Sequence, residues 1–254
     1  MKRFGIFVGV ICLMAAGSGL AGEAVSSDSA AAATGAVVTP DPSWANPISG
    51  QVAVGYDSTY MFRGANRGEN APWGQVDLLT VAGEFTLNAG AWYVNPVSPA
   101  GAILDDANDE LDLYFSATTT ISFVDVWVGY TAYLYPEAGR GATNEVGIGW
   151  RSAIYFIDFG FSYFHDFNLE TNYFEYFFGK NVDLNEWMVF NGGFVLGNEG
   201  TQNLHGVVTA RLNVELTDAA ALSAYIAYNF VDKGREELGF QDRVFGGASL
   251  SVSF

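Results

Sequence analysis

The stretch Arg243–Phe254 reads Arg-Val-Phe-Gly-Gly-Ala-Ser-Leu-Ser-Val-Ser-Phe, and its apolar and polar side chains alternate. In an extended strand, successive side chains point to opposite faces. One face would carry an apolar row that ends on Phe254. The other face would carry Arg243, Gly247 and three serines, with Phe245 as an apolar exception. Such strands form transmembrane barrels, where one face meets lipid and the other meets water. An edge strand of a soluble sandwich is the alternative.

The composition excludes several classes of function. The chain has 254 residues, of which 50% are hydrophobic, and a formal net charge of -17. With only 11 Lys and Arg residues, it lacks the basic surface that binding to a nucleic acid requires. Its single cysteine, Cys12, lies in the apolar amino-terminal segment. We therefore expect no disulfide, no thiolate metal site and no cysteine nucleophile in the mature chain.

The beginning of the chain predicts export. Lys2 and Arg3 precede an apolar core and a run of small residues, which is the pattern of a secretory signal peptide over residues 1–21. Residues 22–48 are rich in Ala, Ser, Thr and Pro and follow neither the helical nor the strand period. They predict a flexible periplasmic leader, with a small plug as the alternative. Residues 49–254 are the predicted barrel, and the predicted location is the bacterial outer membrane.

The alternation of the last strand recurs along residues 49–254. It predicts an all-β fold, a transmembrane antiparallel up-and-down barrel of about twelve strands. Gly50–Arg63 repeats the pattern most clearly and can pair with the last strand. Long connections are predicted after odd-numbered strands, beginning with Gly64–Pro72, and short turns after even-numbered strands. In outer-membrane barrels the short turns face the periplasm, so both termini should lie there. Three aromatic residues are predicted at the outer interface, namely Phe62, Trp73 and Tyr93.

Two segments carry a resemblance to a known family. Tyr60-Met61-Phe62-Arg63-Gly64, followed by Pro72 and Gly74, resembles the opening hairpin of the TorF family of porins, which carries a Tyr-x-Phe-Arg-Gly element. Tyr133-Leu134-Tyr135-Pro136, followed by Asn144 and Glu145, is similar to the central segment of that family. The resemblance implies a barrel porin. Asp57-Ser58-Thr59 and Ala65-Asn66-Arg67 depart from the family pattern, so no family role is transferred to Asp57.

The inward face is predicted to carry charges of both signs. Such a lining can select permeants by charge, and paired charges can equally brace the barrel wall. Antiparallel closure would bring Arg243 beside Arg63 near the outer mouth, where two cations would form a positive site unless acidic neighbours neutralise them. The candidate pore-lining residues are Arg63, Arg211, Arg243, Asp112, Asp125, Glu145, Asp158, Glu175, Glu215, Trp127 and Tyr133.

Further inward aromatic residues indicate a narrow lumen, a lumen suited to ring-bearing solutes, or a filled core; these are Tyr114, Tyr135, Tyr173, Phe177 and Tyr225. His165 and Asp166 end a predicted strand near Ser162, a place where barrel hydrolases carry catalytic groups, although neighbouring His and Asp residues also arise by chance. His205 is predicted to be a wall residue. The sequence contains no metal-ligand cluster and no phosphate loop, so we expect no cofactor and no catalytic site.

These patterns predict an outer-membrane porin that passes small hydrophilic solutes by passive diffusion. The expected partners are outer-membrane lipid and small solutes, without nucleic acid. A closed structural or receptor barrel is the alternative, with acidic surface loops such as Leu104–Glu110 that bind partners or divalent cations. A barrel hydrolase is a third hypothesis.

Overall fold

The computed structural model describes residues 48–98, 109–136, 141–199, 203–232 and 240–254. The predicted signal peptide and nearly all of the predicted leader lie outside this part. The described residues form twelve strands: β1 (Ser49–Phe62), β2 (Ala65–Ala82), β3 (Phe85–Val94), β4 (Glu110–Ile121), β5 (Val124–Leu134), β6 (Thr143–Ile154), β7 (Ile157–Asp166), β8 (Thr171–Asn185), β9 (Met188–Glu199), β10 (Asn203–Thr217), β11 (Ala220–Val231) and β12 (Arg243–Ser253).

Each strand pairs with its sequence neighbours in antiparallel register, and β12 returns to pair with β1, which closes the barrel. The closing ladder runs from Gln51 opposite Ser253 to Asp57 opposite Gly247. At its lower end the Phe254 backbone exchanges two hydrogen bonds with Gly50, at N–O distances of 2.8 and 2.9 Å. The predicted barrel of about twelve strands and the predicted pairing of the first strand with the last are confirmed.

Burial follows the alternation because every side chain of a barrel wall points either inward or outward. The outward face of β12 carries exposed Val244, Leu250 and Val252, whereas Phe245 is buried inside. The same rule holds around the barrel, so a broad apolar belt is exposed on the outer surface. Members of the belt on other strands include Val54, Leu78, Leu113, Phe115, Val128, Ile148, Tyr176, Phe178, Val208 and Ile226. Among the described residues, no helix is long and apolar enough to cross a membrane.

Two-residue turns join the strands at the end of the barrel where β1 begins and β12 ends. They comprise residues 83–84, 122–123, 155–156, 186–187 and 218–219. The sequence predicts the third of these turns just before Ile154, and this position is wrong. The chain turns instead at Tyr155 and Phe156, with Tyr155 at a φ of 56°. Alternation alone favours these aromatic residues as strand members, but at this turn both are exposed beyond the wall.

The first hairpin differs most from the prediction. Gly64–Pro72 is not a long loop, because β2 begins at Ala65 and the turn consists of Arg63 and Gly64 alone. Both turn residues have positive φ, 50° and 76°, which suits a two-residue hairpin turn. Residues 65–72 carry no apolar row in the sequence, and none of them is an exposed large apolar side chain of the outer belt. A register shift between Tyr60 and Met61 bends the hairpin further.

Tyrosines on the outer surface form a repeated contact with the following strand. Tyr130 in β5 donates a hydrogen bond to Asn144 Oδ1, which lies two residues before its register partner Val146. Four other hairpins repeat this diagonal arrangement, through Tyr56 with Asn70, Tyr93 with Asp109, Tyr163 with Asn172 and Tyr228 with Asp242. We call these five pairs the tyrosine clasps. All of them lie toward the end of the barrel opposite the termini.

Candidate channel lumen

The first hairpin leaves the barrel wall at the closing seam. The ladder between β1 and β12 ends at Asp57, and the first four residues of β12 pair with β11 alone. On its other side the hairpin remains attached, since Asn95 and Val97 donate backbone hydrogen bonds to Pro72 and Asn70. Residues 58–69, which we call the inner hairpin, therefore form a flap that is held along one edge and turned into the barrel.

Arg63 lies at the tip of the inner hairpin and contacts the opposite wall. Its guanidinium group forms an ion pair with Glu145 in β6 at 2.8 Å and lies 4.2 Å from the ring centre of Tyr173 in β8. Phe164 in β7 provides a third contact, at 5.3 Å. The guanidinium group is charged, because arginine is not deprotonated in proteins, and Arg63 spans the lumen.

Other polar contacts also join the inner hairpin to the wall. Tyr60 donates a hydrogen bond of 2.6 Å to Glu110 Oε1 in β4, and Asn229 in β11 donates one of 3.3 Å to the Gly64 carbonyl. At the open seam, Arg243 forms an ion pair with Glu69 at 2.6 Å. The predicted adjacency of Arg63 and Arg243 is thus wrong. The hairpin folds inward before it reaches Arg243, and each arginine has its own carboxylate.

Apolar side chains of the inner hairpin pack in two directions. On one side Tyr60 meets Trp92, with ring centres 5.4 Å apart, and Phe62 meets Tyr133 at 5.9 Å. On the other side Met61 joins a cluster that includes Val195, Val207, Ala227 and Phe245. Phe62 and Trp73 therefore contact the interior clusters rather than the predicted outer interface, whereas Tyr93 is exposed on the outer surface.

The interior toward the termini is polar. In β2 and β4, Asp77 accepts hydrogen bonds from Gln75 at 2.7 Å and from Tyr114 at 2.6 Å. Across β12, Tyr225 of β11 donates a bond of 2.7 Å to Asp57 Oδ1 of β1. The guanidinium of Arg211, buried on β10, lies 5.3 Å from the Tyr225 ring. The interior thus has two parts, one filled by the inner hairpin and one lined by hydrogen-bonded polar groups.

The remaining predicted lining residues occupy different environments. Asp112 is fully buried in β4, and Trp127 is buried in β5 against Phe164, at a ring distance of 5.7 Å. Asp125 accepts a hydrogen bond of 2.5 Å from Thr120 near a two-residue turn. Asp158 and Glu175 are half-buried, and Tyr173 donates a bond of 3.3 Å to Glu175. Glu215 is exposed at the end of β10.

The two histidines lie on opposite faces of the wall. His165 forms a hydrogen bond of 2.9 Å with Asn172 on the outer surface. Its neighbour Asp166 is buried and accepts backbone hydrogen bonds from Asn168 and Leu169. His205 is buried and stacks on Tyr173, with ring centres 5.8 Å apart. Within the described residues no group of three or more His, Cys, Asp and Glu side chains is arranged to hold a metal ion.

Sequence reasoning missed two wall partners of the inner hairpin, Glu110 and Asn229. Their positions alternate correctly within each strand, but nothing in the strand period indicates that a hairpin crosses the lumen. Gly64 was the available signal, because glycine readily adopts the positive φ that a two-residue hairpin turn requires. The acidic loop hypothesis over Leu104–Glu110 falls mostly outside the described residues, and its last two residues, Asp109 and Glu110, are buried.

The fold is similar to those of solved outer-membrane proteins. An outer-membrane channel from Pseudomonas putida F1 matches with a TM-score of 0.56 and 11% sequence identity, over 84% of this chain and 99% of that chain. The KdgM porin matches with a TM-score of 0.51 and 7% identity, over 80% and 99%. The NanC porin matches with a TM-score of 0.50 and 12% identity, over 80% and 98%. At these identities the likeness concerns the fold.

No family model matches the chain, and no curated protein matches it either. The resemblance to the TorF family therefore stays a prediction that rests on the two quoted segments.

Proposed function

We propose that the protein is a channel of the bacterial outer membrane that passes small hydrophilic solutes by passive diffusion. The observation that carries the proposal is that apolar and charged side chains exchange the places they have in a soluble globular protein. Large apolar side chains such as Val54, Phe115 and Ile148 are exposed on the outside, whereas charged side chains such as Asp112, Glu145 and Arg211 are buried inside. This arrangement suits a barrel surrounded by lipid around a polar interior.

Lipid explains the outer surface better than a protein partner does. The apolar belt involves every side of the barrel, whereas a protein interface usually occupies one patch. The tyrosine clasps lie toward one end of the belt, in the place where tyrosines are enriched at a membrane interface. The three similar solved proteins are described as an outer-membrane channel and two porins, which agrees with the same location.

The proposed permeation path runs past the inner hairpin and through the polar interior. Along this path we place the pore-lining residues that the sequence predicts, namely Arg63, Arg211, Arg243, Asp112, Asp125, Glu145, Asp158, Glu175, Glu215, Trp127 and Tyr133. Carboxylates and guanidinium groups on opposite walls create a transverse field that favours hydrophilic over apolar solutes. The aromatic residues narrow the path, so we expect a smaller conductance than that of an open sixteen-stranded porin.

A closed structural barrel is the second candidate. The observation that favours it is the filling of one part of the interior by Tyr60, Met61 and Phe62 of the inner hairpin. In a barrel of this kind, Arg63 and Glu145 would brace the wall and no solute would pass. Among smaller barrels, side chains alone can fill the interior.

Single-channel recording in planar bilayers separates the two candidates. Purified protein is refolded into detergent, its folding is verified by the heat-dependent mobility of the band on a gel, and its insertion is verified by flotation with vesicles. We expect discrete conductance steps. Verified insertion without any steps, at salt concentrations up to about 1 M, would contradict the channel and support the structural barrel.

A further inference from the structure

We propose that the inner hairpin, residues 58–69, is the gate of the channel. This inference rests on the proposed function. In the structure the hairpin is folded in and lies across the lumen. Gate opening would swing it about its attached edge toward the mouth of the barrel. The hairpin can move without opening the barrel wall, its tip is held in part by polar contacts that water can replace, and side chains bridge the seam beside it.

The wall does not depend on the inner hairpin. The barrel closes through seven residue pairs between β1 and β12, from Gln51 with Ser253 to Asp57 with Gly247. All of these pairs lie before the hairpin departs. Within residues 58–69 the backbone pairs with itself across the Arg63–Gly64 turn, and Glu69 exchanges two backbone hydrogen bonds with Ser98 at the attached edge. A movement of the hairpin tip would therefore leave the closing ladder intact.

The folded-in position is held by specific polar contacts at the tip. Arg63 binds Glu145, and Tyr60 donates its hydrogen bond to Glu110. The Asn229 side chain donates a hydrogen bond to the Gly64 carbonyl oxygen. Movement of the tip away from the wall would expose this carbonyl to water in the lumen. Ion pairs and hydrogen bonds can be replaced by water when the hairpin moves outward, so the closed state is not fixed by apolar packing alone.

The seam on the free side of the hairpin is bridged by side chains in place of a backbone ladder. The backbone N–H of Gly246 donates to Ser58 Oγ at 3.1 Å, and Arg243 reaches Glu69. Both bridges join β12 to the inner hairpin. A continuous ladder at this point would prevent movement, whereas two side-chain bridges permit it. The seam is therefore where the gate separates from the wall.

Removal of the charge at the tip contact should open the gate. Glu145→Gln keeps the shape of the side chain but removes the carboxylate that attracts Arg63. Because hydrogen bonds to charged groups are stronger than neutral ones, we expect the open probability to rise about tenfold. Glu84→Gln is the matched control, since it makes the same chemical change at a residue exposed in the turn between β2 and β3, at the opposite end of the barrel. It should leave the open probability unchanged.

A reversible cross-link provides the decisive experiment. In the Glu69→Cys/Arg243→Cys variant, a bifunctional reagent that forms a disulfide with each cysteine joins the hairpin to β12 across the seam. Reduction of these disulfides removes the link. The only natural cysteine, Cys12, lies in the predicted signal peptide. We expect openings to disappear on cross-linking and to return on reduction. Equal conductance in the cross-linked and reduced forms, with complete linkage shown by mass spectrometry, would overturn the gate and leave the channel in place.

A shortened variant distinguishes failure of the gate from failure of the channel. Replacement of residues 60–68 by two glycines removes the tip and retains all seven closing pairs. If the gate is correct, this variant conducts continuously. If neither this variant nor the parent conducts after verified insertion, the proposed channel function is wrong. The gate proposal, which rests on it, is then wrong as well.

Discussion

At the scale of single residues, the closing seam depends on a glycine. Gly247 in β12 lies between Asp57 of β1 and Tyr225 of β11 in the register. Because it has no side chain, the Tyr225 hydroxyl reaches across it to the Asp57 carboxylate. Other interior glycines similarly adjoin aromatic side chains of neighbouring strands, including Gly90 beside Tyr114, Gly149 beside Trp127 and Gly197 beside Tyr173. Small residues thus let large side chains enter a narrow barrel.

We predict that Gly247→Ala destabilises the barrel. The added Cβ would approach the Tyr56 carbonyl oxygen to 2.5 Å and the Tyr225 ring to 2.7 Å, and it would also meet Asp57. Overpacking of this kind should lower the free energy of unfolding by about 1–3 kcal/mol. Urea titration in detergent, followed by tryptophan fluorescence, provides the measurement.

Gly74→Ala is the matched control for that experiment, because its Cβ would come no closer than 3.9 Å to the Ala53 carbonyl oxygen. Its urea midpoint should stay near that of the parent. Equal midpoints for Gly247→Ala and Gly74→Ala would show that the seam tolerates a side chain, contrary to the packing argument.

Single residues also show which features of the interior could be predicted from the sequence. Strand parity predicts an inward face that holds Asp112, Glu145 and Tyr133, and each of these is buried. Parity cannot predict that Glu145 pairs with Arg63, because 82 residues separate them and the contact crosses the lumen. Pairings between neighbouring strands follow from the register, whereas contacts across the interior depend on where the inner hairpin folds.

At the scale of elements, the tyrosine clasps would lie at the membrane interface of the proposed channel. Each clasp joins an outward tyrosine of an odd-numbered strand to an Asn or Asp beside the next strand. The hydroxyl has a protein acceptor even where little water reaches it, so the ring can remain beside lipid. The clasp between Tyr228 and Asp242 carries a charge, whereas the clasp between Tyr130 and Asn144 is neutral.

We predict that these two clasps respond differently to pH. The backbone N–H of Val231 and the hydroxyl of Tyr228 both donate to Asp242, and they hold its pKa below the ordinary value. A carboxyl whose folded-state pKa is lowered contributes stability above its unfolded pKa, and this contribution is lost as the pH falls through the folded pKa. Tyr228→Phe should therefore destabilise at neutral pH and have a smaller effect once Asp242 is protonated.

Tyr130→Phe is the neutral comparison, and its cost of about 1 kcal/mol should not change with pH. The measurement is the urea midpoint of both variants and the parent between about pH 2 and pH 7. A Tyr228→Phe effect that stays constant over this range would contradict a charged clasp. Tyr176→Phe is a further control, since Tyr176 is exposed on the outer surface outside the five clasps.

The strands also show what the alternating pattern could predict and what it could not. Strand existence and neighbour pairing were predictable because the period-2 pattern repeats in every wall segment. The first hairpin was not, because Tyr60 and Phe62 continue the outward row of β1 in the sequence but pack inside the barrel. A register shift and an inward fold place these residues in a second environment that a single alternating pattern cannot represent.

At the scale of the whole molecule, the two ends of the barrel differ in their connections. Five two-residue turns occupy the end that also holds Ser49 and Phe254. At the other end, longer stretches of the chain separate β3 from β4, β5 from β6 and β11 from β12, and the inner hairpin lies there too. In outer-membrane barrels short turns face the periplasm and longer loops face outward. The gate would then open toward the outside of the cell.

We predict that this asymmetry sets the orientation in the membrane. An epitope inserted between Leu169 and Glu170, which are exposed in the turn between β7 and β8, should be labelled by antibody on intact cells. The same epitope inserted between Glu186 and Trp187 should be labelled only after the outer membrane is permeabilised, because that turn lies at the opposite end. Band mobility on unheated gels would verify that both insertions fold. Labelling of the second site alone on intact cells would reverse the orientation, and the inner hairpin would then face the periplasm.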